Sequence, residues 1–170
     1  MTVPPATELT DRTVAVRPAT VADVEALIAL RAALFQDVGR QSGPQGKTWQ
    51  GACRQILLDG LAAGDLIGAV GETDDGTIVA SGIATLRRWL PSPTNPAGLS
   101  GYIGSMATLE PWRCQGIGRR ITEALVAAMR ERGAVDIEVY ATEAAEALYR
   151  SLGFVDHEAG TGLTLHTDTS

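Results

Sequence analysis

The chain has 170 residues, of which 45% are apolar and 20% charged, and a net charge of −6. This length and balance suit one globular domain with a real core and exclude a disordered chain. The acidic balance excludes a general nucleic-acid binder, which needs a basic surface to neutralise phosphates. No apolar run of about 18 residues is present, so no membrane-spanning helix is expected. The start, MTVPPATELTDR, lacks the basic flank and apolar stretch of a secretory signal. Cys53 and Cys114 stand far apart and form neither a disulfide framework nor a metal-spaced set, the usage expected in a reducing cytoplasm.

In chain order, residues 1–12 are polar, contain Pro4 and Pro5, and read as a loose arm ahead of a domain over residues 13–168. Thr13–Arg17 alternates as a first strand. Thr20 then opens a helix with Asp23 in its first turn, and Val24, Leu27, Ile28, Leu34, Phe35 and Val38 form its apolar stripe. A loop spans Arg40–Gly46, and a second helix is predicted over Trp49–Ala63. Leu66–Glu72 and Thr77–Trp89 read as strands joined at Asp74-Asp75-Gly76, a hairpin signal. Pro91, Pro93 and Pro96 mark an exposed loop before a fourth strand, Tyr102–Leu109.

The clearest helix follows, from about Gly116 to Arg132, with Ile117, Ile121, Leu125, Ala128 and Met129 on one face. Val135–Ala141 reads as a fifth strand, short and apolar enough to be central. Thr142 or Glu143 starts a last helix reaching Leu152, and Phe154–His157 with Leu163–His166 reads as a closing hairpin. The sum is an α/β chain with a mixed sheet and about four helices covering both faces.

The segment Arg113-Cys114-Gln115-Gly116-Ile117-Gly118-Arg119-Arg120 joins strand to helix. Two glycines allow a tight turn, and the helix start adds unpaired N–H donors with partial positive charge. Such a place binds phosphates. Three arginines and no acid make it positive within an acidic protein. It is not a dinucleotide fingerprint, because Ile121 stands where the third glycine belongs. Nor is it a P-loop, because Arg119-Arg120 replaces the Lys-Ser/Thr pair.

Arg113-x-x-Gly116-x-Gly118, between a strand and an amphipathic helix, resembles the acetyl-CoA signature of the GNAT superfamily of N-acetyltransferases. Ala145, Leu148, Tyr149, Gly153 and Phe154 are similar to that family's last helix, which ends in Leu-Tyr and then Gly-Phe. Val16-Arg17-Pro18-Ala19 resembles its opening. The resemblance covers roughly Val14 to Leu165.

It implies a mostly antiparallel sheet of six to seven strands with the fourth and fifth splayed apart. It implies acetyl-CoA as co-substrate, its pyrophosphate on the backbone amides of Cys114, Gln115, Gly116, Ile117, Gly118 and Arg119, with an arginine side chain in reach. It sets the pantetheine arm along Met106, Ala107 and Thr108, and Thr142 near the cofactor thiol, unless that hydroxyl only caps the helix.

The expected reaction is acetyl transfer to a primary amine of a small molecule by direct attack in a ternary complex. The attacking amine must be neutral, so a proton acceptor is required, and the departing thiolate gains from a donor. The resemblance puts Tyr149 in the donor role. The acceptor stays open among Glu110, Ser105, Thr108 and a water chain, because Tyr102 stands where many relatives carry glutamate. Trp49, Trp89 and Tyr102 are candidates to line the acceptor pocket. His157 and His166 show no metal spacing, and no metal is expected. The alternatives are a degenerate acyl-CoA sensor and an enzyme acting on a protein amine. No nucleic acid or membrane partner is expected, and a homodimer is left open.

Overall fold

The computed structural model describes residues 13–39 and 48–156. They form two compact units, one running to Tyr140 and the other beginning at Ala141.

The first unit is built on five strands: β1 (Val14–Pro18), β2 (Leu66–Thr73), β3 (Ile78–Arg88), β4 (Leu99–Thr108) and β5 (Asp136–Val139). Their order in the sheet is their order in the chain. β1 to β4 form an antiparallel meander, and β5 runs parallel to β4. A parallel return needs a long crossover. Here the helix α3 (Ile117–Glu131) supplies it.

Two other helices, α1 (Val24–Asp37) and α2 (Thr48–Ala63), precede β2. A capping box opens the 3-10 turn Val21–Asp23 that leads into α1: the Thr20 hydroxyl accepts from the Ala22 amide, and the Asp23 carboxylate accepts from the Thr20 amide at 2.7 Å. The apolar stripe of α1 then docks on the sheet, where Val24, Leu27, Ile28, Leu57 of α2 and Val70 of β2 form one buried cluster. Val38 departs from the predicted stripe: it lies past the helix end and is exposed, while Leu30 is buried instead.

The opposite face carries α3, whose Ile117, Ile121, Leu125 and Met129 are all buried. The helix approaches so closely because the sheet is bare below it. A Cβ at Gly82 would overlap the Met106 sulfur and come within 2.9 Å of Ile121 and Leu125; one at Gly101 would overlap the Met129 sulfur. Hence Gly101 faces α3, and Tyr102, next along the strand, faces the α1 side.

One expectation about the sheet is corrected. Among the described residues there are five strands rather than six to seven, and Phe154–Asp156, the start of the expected closing hairpin, is not a strand. The rest of that hairpin, the N-terminal arm and the whole Arg40–Gly46 loop lie outside the described residues. β5, expected to be central, pairs with β4 among the described residues, and most of the hairpin expected after it lies outside them. Its sequence, Asp136-Ile137-Glu138-Val139, puts acids at alternate positions, which suits one wet face rather than burial on both.

The second unit contains α4 (Glu143–Ser151). Thr142 caps it with its carbonyl, which accepts from Ala145 and Glu146 at 2.9 and 3.0 Å, and not with its hydroxyl. Tyr149 is buried, its ring edge-on to Phe154 with 5.6 Å between centroids.

Candidate functional site

β4 is the strand on which the site is built. It pairs with β5 only from Ser100 to Ile103, yet continues to Thr108. Among the described residues, no strand covers its outer edge from Gly104 onward. That is the expected splay.

On the inner side the register with β3 slips. Ser81 pairs with Ala107 and Ile83 with Gly104, so β4 carries one extra residue. The slip is a β-bulge, and Ser105 takes the left-handed conformation there, at φ 50°. A non-glycine residue pays a strain of about 1 kcal/mol or more in that region, so its surroundings must hold it. Arg31 of α1 does so, with a short hydrogen bond from its Nη1 to the Ser105 hydroxyl. The Arg31 guanidinium itself lies over the Phe35 ring, 4.7 Å from its centroid, and Phe35 meets Trp49 edge-on at 5.4 Å.

The neighbouring aromatic, Tyr102, leans over bare backbone: a Cβ at Gly104 would sit 3.0 Å from its Cε1. The Arg87 guanidinium lies over that ring, 4.2 Å from its centroid, and Tyr140 approaches at 5.9 Å between centroids. Tyr102 pairs with Thr85 on one side and Glu138 on the other, so the three side chains share one face.

Past Thr108 the chain makes a short 3-10 turn, Glu110–Trp112, anchored by buried Trp112. Arg113 is extended, Cys114 is left-handed at φ 61°, and Gly116 is left-handed at φ 74° before α3 starts. Mixing left-handed residues into a turn swings successive N–H groups toward one side, making a concavity for anions. The first amides of α3 add donors with no partner inside the helix. Side chains tie the loop down. Arg113 donates from Nε to the Thr108 carbonyl at 2.9 Å and pairs with Asp37 of α1. Gln115 donates to the Pro111 carbonyl at 3.1 Å, and Arg120 to the Val14 carbonyl at 2.6 Å. Arg119 pairs with Glu123 at 3.0 Å.

The structure thus brings Met106, Ala107 and Thr108 to the end of an unpaired strand edge that runs directly into Arg113–Arg119. Met106 turns its sulfur toward Gly82, on the α3 face. Glu110 is exposed on the turn beyond β4, and Cys114 is exposed on the loop. Thr142 and Tyr149 belong to the second unit. Trp89 is exposed, and among the described residues Trp49 and Tyr102 are the pocket candidates that engage aromatic or cationic neighbours.

Sequence reasoning missed Arg31, Arg87 and Glu138. Arg31 had a signal: it falls at the next position of the stripe Val24, Leu27, Ile28, where an apolar residue is expected. Arg87 and Glu138 had none, because only the register places them beside Tyr102.

Residues 33–154 match the Acetyltransferase (GNAT) family, and the chain belongs to it. It is an acyltransferase of that family, which uses acetyl-CoA. The fold is similar to a predicted acetyltransferase with acetyl-CoA from Clostridium acetobutylicum (24% identity, TM-score 0.78, 89% of this chain and 96% of that one). It is also similar to a GCN5-related N-acetyltransferase from Ralstonia eutropha JMP134 (27% identity, TM-score 0.77, 89% and 99%). Glucosamine-6-phosphate N-acetyltransferase from Arabidopsis thaliana shares the fold at 16% identity (TM-score 0.68, 91% and 99%). No curated protein matches. Among the described residues, no helix is long and apolar enough to cross a membrane, and no group of three or more His, Cys, Asp or Glu is placed to hold a metal.

Proposed function

We propose that the chain transfers the acetyl group of acetyl-CoA to a primary amine of a small molecule by direct attack in a ternary complex. The observation that carries this is the β4 edge from Gly104 to Thr108, unpaired among the described residues, leading into the left-handed loop at Cys114 and Gly116. An extended amide-bearing arm pairs with such an edge, and a pyrophosphate suits the amides beyond it. The residues read as cofactor-binding are therefore Met106, Ala107, Thr108 and the loop Arg113–Arg119. Arg113 serves as a brace, since two of its nitrogens are already engaged within the protein.

With the arm on β4, the thioester falls near the bulge. The neutral amine attacks the carbonyl carbon, a C–N bond forms, and the carbonyl oxygen gains charge that a β4 amide can meet. The C–S bond then breaks. The amine proton passes to a base and the CoA sulfur takes a proton from the Tyr149 phenol. Two carboxylates compete for the base. Glu110 stands beyond the strand end, while Glu138 shares a sheet face with Tyr102, one pair before β4 and β5 part. Glu138 is the better placed of the two. Thr142 is assigned to the thiol end of the cofactor by the family resemblance. Cys53 and Cys114, both free thiols, fit a reducing cytoplasm.

Release of CoA thiol from acetyl-CoA with a panel of amines, beside CoA binding by calorimetry, tests the assignment. Transfer predicts release with at least one amine. Tight CoA binding with no release would identify a sensor instead. Tyr149→Phe should lower turnover about 100-fold, the usual scale for a lost general acid, with CoA binding unchanged. Glu138→Gln should lower kcat about 100-fold where Glu110→Gln leaves it nearly unchanged; the reverse result would move the base to Glu110.

A further inference from the structure

We infer that the acceptor amine also carries an oxyanion, a carboxylate or a phosphate, and that Arg31 and Arg87 hold it on the α1 side of β4. This rests on acetyl transfer at the site above and narrows the substrate class.

Five arginines of the described residues, Arg17, Arg54, Arg113, Arg119 and Arg150, pair with carboxylates. Among the described residues, Arg31 and Arg87 pair with none; each lies on an aromatic ring instead, at 4.7 and 4.2 Å from the centroids. Stacking fixes the plane of a guanidinium and leaves edge donors for a planar or tetrahedral oxyanion, the arrangement in which arginine outperforms lysine. Neither position is an accident of a basic surface, because the protein as a whole carries −6. Arg31 also occupies the helix stripe that faces the sheet, half-buried, and its bond to Ser105 leaves further guanidinium donors for a ligand.

The two guanidiniums converge on one short stretch of β4. Arg87 covers Tyr102, the Tyr102 ring leans over Gly104, and the next residue, Ser105, accepts from Arg31. That stretch is the bulge beside which the thioester must lie. Glu138 shares the Tyr102 face and complements the ammonium end of such a substrate. A zwitterion therefore finds both of its charges answered here, whereas a polyamine meets two cations.

Thiol release with matched amines tests this: amino acids against their amides, glucosamine 6-phosphate against glucosamine, and spermidine. The expected result is a preference of at least tenfold in kcat/KM for the anionic member of one pair, which also tells carboxylate from phosphate. Arg87→Ala, at an exposed position, should erase most of that preference while KM for acetyl-CoA stays within twofold, and Arg31→Gln should erase it as well. Arg87→Lys should restore part of it. Equal or better rates with the amides, glucosamine or spermidine would overturn the inference and leave acetyl transfer standing. The same holds if neither arginine variant changes the ratio. No release with any amine, while CoA binds, would overturn both.

Discussion

Arg113 reaches from the glycine loop back to Asp37, the last residue of α1, and at the same time donates from Nε to the Thr108 carbonyl at 2.9 Å. One side chain thus joins the end of β4, the loop and the end of α1. The ion pair is close to half-exposed on both partners, so it contributes little by itself, less than about 1 kcal/mol. Asp37→Asn should therefore leave the thermal midpoint almost unchanged. Arg113→Ala removes the carbonyl bond as well and should raise KM for acetyl-CoA about tenfold with a much smaller change in kcat. Steady-state kinetics on both variants decides it: an unchanged KM in Arg113→Ala would dismiss the brace.

Backbone conformation, rather than side-chain chemistry, should govern the loop. A Cβ at Gly116 meets nothing within 4 Å, so Gly116→Ala is opposed only by its φ of 74°. A left-handed non-glycine residue costs about 1–2 kcal/mol, and relief by unwinding the turn would misdirect the amides. CoA affinity should fall about tenfold, read by calorimetry. Cys114 already bears that strain at φ 61°. Cys114→Gly should raise stability by up to about 1 kcal/mol and keep CoA affinity within twofold. Loss of affinity in Cys114→Gly would show that the thiol, not the turn, matters.

Two glycine substitutions should shift stability in opposite directions. Gly82→Ala forces a methyl against Met106, Ile121 and Leu125 beneath α3, and overpacking of this kind costs about 1–3 kcal/mol. Gly51→Ala, in α2 with nothing within 4 Å of the new methyl, should stabilise by up to about 1 kcal/mol through helix propensity. Urea unfolding of both proteins measures the pair. A neutral Gly82→Ala would mean that α3 can lift off the sheet at little cost.

The helices, the meander and the glycine loop were legible because their signals are local. Thr20 with Asp23 announces α1, Asp74-Asp75-Gly76 announces a hairpin, and the periodicity of Ile117, Ile121 and Leu125 announces α3. The acceptor side was not legible because it depends on register. Nothing in the stretch Tyr102–Ser105 reveals that β4 bulges, that Glu138 pairs opposite Tyr102, or that Arg31 closes on Ser105. The early start of β4 at Leu99 is similarly non-local. Asn95, within a loop that reads as exposed, is buried and holds Leu99 by two hydrogen bonds while reaching Asp136 of β5 at 3.2 Å.

Acid should weaken the protein through Asp23. Its carboxylate accepts from both terminal nitrogens of Arg17, at 2.9 and 2.8 Å, and from the Thr20 amide and hydroxyl. The Arg17 bonds foremost, against the opposing cost of burial, hold its pKa down to about 2 from an ordinary 3.8. The folded value lies below the unfolded one, so the stabilisation is complete above about pH 4 and disappears as pH falls toward 2. The shift corresponds to about 2 kcal/mol at neutral pH. Asp23→Asn should lose that amount at pH 7 and narrow its gap to the wild type as the pH drops to 2. Urea unfolding at pH 7, 4 and 2 follows the difference. A gap between the two proteins that stays constant across that range would show that Asp23 acts only as a neutral helix cap.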